Sequence, residues 1–317
     1  MIKLKNRVRK FFSIFVLIAI LLVFIWYVFV NLSEFENMLT QVASNLWFSL
    51  YILLFLVIVI ALNGYIFFVL MKFFNIHLNL KEWFGLSVLT RFYNFITPFR
   101  GGAVIRSLYL KKRYNFSYLS FLSTLFAIYI ILFLIGSFVG LLCMLFIKYY
   151  SGFFNILIFV ILLCVFLFFL LIILISPKIS TSKNKWLNYF IEILNGWHLI
   201  KNNKKVLFSL IVVALLQLFF NSLTLLFSYK VFGIDINMLD VLFIASINYV
   251  ILPLSLTPGN LGVADAVNVF SASIVGVGIS EAVLATLFRR ILELVVVFIL
   301  GPIFSYKLMK NLKSLDK

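Results

Sequence analysis

Thr97-Pro98-Phe99-Arg100-Gly101-Gly102 interrupts a hydrophobic stretch, about residues 83–112, that is long enough for one helix. Proline removes a backbone donor and clashes with the preceding turn, and glycine weakens a helix further, so the stretch must break there. A second stretch, about 239–278, is broken in the same manner by Thr257-Pro258-Gly259-Asn260-Leu261-Gly262. Downstream of each break a further match follows, Leu122-Ser123-Thr124-Leu125-Phe126 against Leu284-Ala285-Thr286-Leu287-Phe288. The threonines are 124 − 97 = 27 residues apart in one copy and 286 − 257 = 29 in the other. Upstream, Tyr93-Asn94 and Asn248-Tyr249 are a looser echo. Either string alone could recur by chance in a Leu/Phe-rich chain. Both in one order, each in a broken hydrophobic segment, predict a duplication with copies at about 47–147 and 206–308.

The surroundings of these breaks are a membrane protein's. Of the 317 residues 64% are apolar and 12% charged, about half the charge fraction of an ordinary soluble domain. Apolar runs of about 20 residues match the helix needed to cross a hydrocarbon core of roughly 30 Å, and lipid offers backbone groups no partners outside a helix. Six spans are predicted, at about 11–30, 47–71, 117–147, 153–175, 206–230 and 280–308. The run from Phe11 to Val30 is too long for a signal-peptide core and is expected to stay as the first span. The fold class expected is an all-α polytopic membrane helix bundle, one membrane domain over 1–317. It comprises about six full spans plus two Pro/Gly-broken, re-entrant elements related as an inverted repeat.

Charge orients it. Basic clusters occupy the first ten residues, 72–113, 176–205 and the C-terminal tail, whereas the loop after the first span holds Glu34 and Glu36 and no basic residue. Six spans with both termini cytoplasmic put every cluster on one side, as the positive-inside rule requires. The net charge of +17 is therefore read as headgroup anchoring, not nucleic-acid binding. Three spans separate the two breaks, so the second enters from the opposite face. That is the plan of transporters whose substrates bind where helices are discontinuous. The loop at about 176–205, with Trp186 and Trp197, is expected to lie amphipathically on the inner leaflet.

The candidate site residues gather at the breaks. Thr97, Pro98, Gly101 and Gly102, with Thr257, Pro258, Gly259 and Gly262, free backbone N–H groups and allow close approach of a ligand. Arg91, Arg100 and Arg106 flank the first break and can grip phosphate with two donors each. Asp265 follows the second break, where it can start a helix, carry a proton or pair an arginine. Arg289, Arg290 and Glu293 lie inside the last span, where a lone charge costs about 2.5–3.5 kcal/mol. Arg289 and Glu293, four residues apart, can pair on one helix face; Arg290 points elsewhere and needs Asp265 or a lipid phosphate. This set reads either as a helix clamp or as a ligand site. Gly136-Ser-Phe-Val-Gly140 reads as a helix-packing seam. Cys143 and Cys164 are expected to be small core residues, and His77 and His198 loop residues without a special role. No metal-ligand spacing, Ser-His-Asp arrangement or P-loop occurs, and no cofactor is expected.

Thr97 to Arg106, Leu256 to Asp265 and Leu284 to Arg290 together resemble the lysylphosphatidylglycerol synthase transmembrane region, a flippase-like family, across most of residues 10–310. The resemblance implies a lipid-translocating or lipid-associated domain. The family's first motif usually carries Glu after its glycines, where this chain has Ala103-Val104, and its second often has Glu in place of Asp265. Long members add an aminoacyl-transferase domain; this sequence ends at Lys317 without one, so lipid lysinylation is not expected of it.

The expected function is a flippase-like transporter or scramblase, in the inner membrane, for a phospholipid or polyprenyl lipid. The alternative is an accessory subunit for a separately encoded lipid- or glycan-modifying enzyme, or such an enzyme itself. An enzyme would draw on Glu34 and Glu36 in the short first outer loop.

Overall fold

The computed structural model describes residues 40–97, 100–180, 182–251 and 257–313, and among them no strand occurs. The predicted first span, Glu34, Glu36 and Pro98 lie outside the described residues. In chain order the helices are α1 (Leu46–Phe73), α2 (Leu80–Ile96), α3 (Gly101–Tyr114), α4 (Tyr118–Ser151), α5 (Ile156–Ile175), α6 (Lys185–Asn202), α7 (Lys204–Lys230), α8 (Met238–Ile251), α9 (Val263–Ile274) and α10 (Ile279–Lys313). A 3₁₀ turn, Pro258–Asn260, precedes α9. Residues from Trp47 onward form one compact unit, while 40–46 belong to a separate one. α1, α4, α5 and α7 are each long and apolar enough to cross a membrane. The chain is thus a multi-pass membrane protein, an all-helical polytopic bundle.

Caps set several of the helix starts. Asn79, Asn155, Asn184 and Asn203 each accept a backbone N–H of the turn they open, and Ser117 does so for α4. These acceptors occupy first-turn donors that have no partner within the helix.

Both broken stretches fold as hairpins. In the first, Glu82 near the start of α2 is buried and accepts from Tyr109 Oη (2.8 Å) and Tyr114 Oη (2.9 Å), both toward the end of α3. Arg113 Nε lies 2.6 Å from the same carboxylate. The two half-helices therefore run antiparallel, their bases tied by a buried carboxylate. Their tip is close because Gly102 is a glycine: a Cβ there would stand 1.9 Å from Thr90 O. In the second hairpin, Asn248 of α8 donates to Asn268 Oδ1 of α9 (2.6 Å), and Ile274 and Val275 pack in the cluster that contains Phe243.

The hairpins come from opposite ends of α4. The first leads through Asn115–Ser117 into the start of α4, whereas Asp240 at the base of the second accepts from Tyr150 Oη near its end (2.7 Å). At about 1.5 Å per residue the 34 residues of α4 separate those levels by roughly 50 Å. The tips meet at Gly259, which packs so closely on Phe95 that a Cβ would lie 2.3 Å from Cδ1 of the ring.

The order long helix, half-helix, break, half-helix, long helix thus occurs twice. The lengths correspond: 28 and 27 residues for α1 and α7, 17 and 14 for α2 and α8, 14 and 12 for α3 and α9, 34 and 35 for α4 and α10. Each closing long helix seats the other half's first half-helix through glycine. Gly136 and Gly140 of α4 meet Tyr249 and Ser246 of α8; Gly301 of α10 meets Phe92 of α2. The Gly136/Gly140 seam is therefore a packing seam, as its spacing indicates.

The remaining helices lie outside this pair of halves. α5 fully buries only Leu162: Ile158, Phe159, Phe166 and Phe169 pack against α4 and its core cluster, while the opposite face, Cys164 included, is exposed. Only Cys143 is a core cysteine, a correction to the expectation for Cys164, whose face of α5 has no protein against it. α6 buries Ile191, Trp197 and Ile200 and exposes Trp186, Leu187 and Phe190. It is docked by Gly196 against Ser123 and by Trp197 Nε1, which donates to Ser176 Oγ (3.1 Å). His198, in α6 and not in a loop, bonds Ser176 O (2.8 Å).

The hairpin tip is the most demanding packing point. Gly102→Ala is expected to lower the unfolding midpoint in detergent by more than about 5 °C, because the Thr90 carbonyl cannot move without unwinding α2. Gly233→Ala, with nothing within 4 Å of its Cβ but a φ of 67°, is expected to cost only the backbone strain and to shift the midpoint less. Scanning fluorimetry of both variants compares the two.

Candidate functional site

Between the hairpin tips and the long helices lies a cavity of about 250 Å³. Its wall is polar in a manner unusual for a membrane interior. Arg91, Arg100, Arg106, Arg289 and Arg290 line it with Glu293, and Asn63, Asn94, Asn221, Asn248, Asn260, Asn268 and Gln217 add amides, with Thr90, Tyr129, Tyr249 and Thr257 adding hydroxyls. Phe95, Phe121, Leu125, Ile128, Leu132 and Leu225 are among its apolar residues.

Two ion pairs hold the tips to α10. Arg290 donates through Nε (3.1 Å) and Nη2 (2.6 Å) to Asp265 Oδ1, and through Nη1 to Gly259 O (2.7 Å). One guanidinium thus binds the start of α9 and the turn before it. Three residues along α10, Glu293 accepts from Arg91 Nη1 of α2 at 2.8 Å. Side-chain exposures of 7% and 18% for the first pair, and 23% and 13% for the second, put both in partly desolvated surroundings. There, a charge is tolerated only if matched by its opposite or by several hydrogen bonds.

The pairing differs in one respect from the sequence expectation. Glu293 joins Arg91 across two elements and not Arg289 four residues away, because the α2 hairpin brings a second guanidinium to the same carboxylate. Arg290 does take Asp265, one of its two expected partners. Asp265 fills two of its anticipated roles at once: its Oδ2 accepts the Gly262 N–H at the start of α9 (3.0 Å) while Oδ1 holds Arg290.

The other arginines are held differently. Arg100 stands at a left-handed φ of 57° before α3, donates to Tyr129 Oη and lies over that ring at 4.9 Å. Arg106 lies over Phe67 at 4.5 Å and reaches Leu86 O at 3.5 Å. Arg289 makes no ion pair among the described residues, and its Nε is buried without a partner.

The structure brings Arg91, Arg100, Arg106, Thr257, Gly259, Arg289, Arg290 and Glu293 to one cavity, with Asp265 just behind Arg290. Thr97, Gly101, Gly102 and Gly262 do not line it. Their closeness serves the protein itself: a Cβ on Gly101 would meet Thr97 Oγ1, and Gly102 N–H is taken by Asn94 Oδ1 at 3.0 Å. Pro258 opens the 3₁₀ turn that presents Gly259. Sequence reading missed the amides. Asn63 and Asn221 each stand 17 residues past the first residue of α1 and α7, a matched register that an amide search in apolar runs would have found.

A model of one protein family, the lysylphosphatidylglycerol synthase TM region, matches residues 14–301. No curated protein and no solved structure matches the chain.

The Arg290–Asp265 bridge supports a double-mutant cycle. Asp265→Asn and Arg290→Gln alone are each expected to destabilise the fold by about 3 kcal/mol, since each leaves one partly buried charge without its counterion. The double variant should lose clearly less than the sum, with a coupling of roughly 1–3 kcal/mol read from denaturant unfolding in micelles.

Proposed function

This chain belongs to the lysylphosphatidylglycerol synthase transmembrane-region family, and we propose that it is a flippase-like transporter or scramblase of an anionic or polyprenyl-linked lipid. The observation that carries the reading is the arginine- and amide-lined cavity between two opposed hairpin tips. A hydrocarbon interior does not keep such a surface without a use, because each desolvated guanidinium and amide is unfavourable there. At about 250 Å³ the space lies below the roughly 300–1,000 Å³ of sites that enclose a whole ligand. It has room for a headgroup while the tails remain in lipid.

The transport plan rests on the paired halves. Hairpins tied to opposite ends of α4, with matched helix lengths around them, support an inverted repeat whose breaks are re-entrant. In that plan the headgroup site lies at the midplane. α10 carries both latches, Arg290 to one tip and Glu293 to the other, which supports a role for this helix in coupling the two hairpins. The basic clusters at 72–113 and 176–205 support a cytoplasmic placement of the first hairpin's base and of α6 in a cell membrane, with both termini cytoplasmic. The exposed Trp186, Leu187 and Phe190 of α6 suit an inner-leaflet surface.

The test is lipid crossing in liposomes containing the purified chain and a fluorescent anionic phospholipid, followed by quenching of the outer leaflet. The wild-type chain is expected to accelerate crossing. Arg91→Ala and Arg290→Ala should each slow it at least about tenfold, the equivalent of a lost charge-assisted hydrogen bond. Crossing no faster than in protein-free liposomes, for anionic and polyprenyl lipids alike, would overturn the reading.

A further inference from the structure

The cavity's charges do not cancel. Asp265 neutralises Arg290 and Glu293 neutralises Arg91, but Arg106 and Arg289 face no carboxylate within 4.0 Å among the described residues. Arg106 is 4% exposed, and its Nε has no partner. Among the described residues its one hydrogen bond is the long one from Nη2 to Leu86 O. Arg289 Nε is buried without a partner as well. Neither residue can discard its charge, because arginine stays protonated throughout the physiological range. A single unmatched guanidinium in a partly dry site is unfavourable, and a second in the same small volume adds repulsion.

Two buried guanidiniums that no carboxylate reaches call for negative charge from the ligand. Resting on the lipid reading above, we propose that the headgroup taken here ends in a phosphate monoester or a diphosphate, and not in the singly charged phosphodiester of common phospholipids. A terminal phosphate carries about −1.5 to −2 charges at pH 7 and three free acceptor oxygens; a diphosphate carries at least as much. That many acceptors suits two guanidinium forks. It also suits Asn260 Nδ2 and Asn268 Nδ2, both buried, both on the cavity wall and both without a partner. A phosphodiester has two unesterified oxygens and one charge, so it would leave one of the two arginines unmatched. The hydrophobic part of the ligand stays outside the cavity, so a diacylglycerol and a polyprenol are equally compatible.

The full chain in detergent can be tested with four short-chain probes: dioctanoyl phosphatidate, farnesyl diphosphate, dioctanoyl phosphatidylglycerol and dioctanoyl phosphatidylcholine. At about pH 7.5, phosphatidate and farnesyl diphosphate are expected to bind at least about tenfold tighter than phosphatidylglycerol. The phosphatidate advantage should shrink as pH falls through about 6, where the monoester gains a proton. Arg106→Gln and Arg289→Gln should each cut it to less than about threefold while phosphatidylglycerol still binds. A preference between phosphatidate and farnesyl diphosphate identifies the source of the terminal phosphate, and either preference supports the proposal. Equal binding of phosphatidate, farnesyl diphosphate and phosphatidylglycerol by the wild-type chain overturns it and leaves an anionic-lipid site standing. Binding of none of the four overturns the lipid reading itself. The deciding comparison uses the wild-type chain, so a variant that fails to fold cannot hide the result.

Discussion

A helix broken inside a membrane exposes backbone groups that lipid cannot satisfy, and the rest of this structure follows from meeting that need. At the first break the need is met from within the hairpin: Thr97 Oγ1 donates to Tyr93 O, and Asn94 accepts the Gly102 N–H. At the second it is met partly from within, by Asp265 on the Gly262 N–H, and partly from outside, by Arg290 on the Gly259 carbonyl. The second solution places a charged pair where the first uses neutral groups. α10 therefore tolerates its charges inside an otherwise apolar helix because a broken chain lies beside them. The cavity is the space left beside two tips that meet where Gly259 packs on Phe95.

The same constraint separates packing from chemistry among the glycines. Gly101, Gly102, Gly136, Gly140, Gly259 and Gly301 all sit where a Cβ would press on a neighbouring side chain or carbonyl. They let half-helices lie against each other and against the long helices, and this closeness brings arginines of α2, α10 and the start of α3 to one volume. In this chain the Arg91 counterion comes from Glu293 on α10.

Much of the fold was legible because its signals are local. Apolar runs, the two Thr-Pro breaks and the recurring Leu-Thr-Leu-Phe strings placed α1, α4, α5, α7, α10 and both hairpins within a few residues. The ion-pair partners were only half legible. Arg290 and Asp265 stood out as charges in apolar company, but Arg91 reads as one more basic residue in a basic stretch. Its pairing with Glu293 spans 202 residues and depends on how the hairpin folds back. The amide wall was legible only in part. Asn94 and Asn248 echo each other beside the breaks, and Asn63 and Asn221 share a register in their helices. That all four turn toward one space depends on how the helices pack.

α5 has a consequence of its own. One face of the helix packs along α4, and the other, from Leu157 to Ile175, is exposed. Its 20 residues measure about 30 Å, the thickness of a hydrocarbon core, between Asn155 and Ser176. The helix is in effect a ruler laid along the bundle, with Ser176 at one end of its scale. Trp197, His198 and Lys201 of α6 all bond that serine. They fix α6 to that end of the scale, beside the start of α4, where Gly196 meets Ser123.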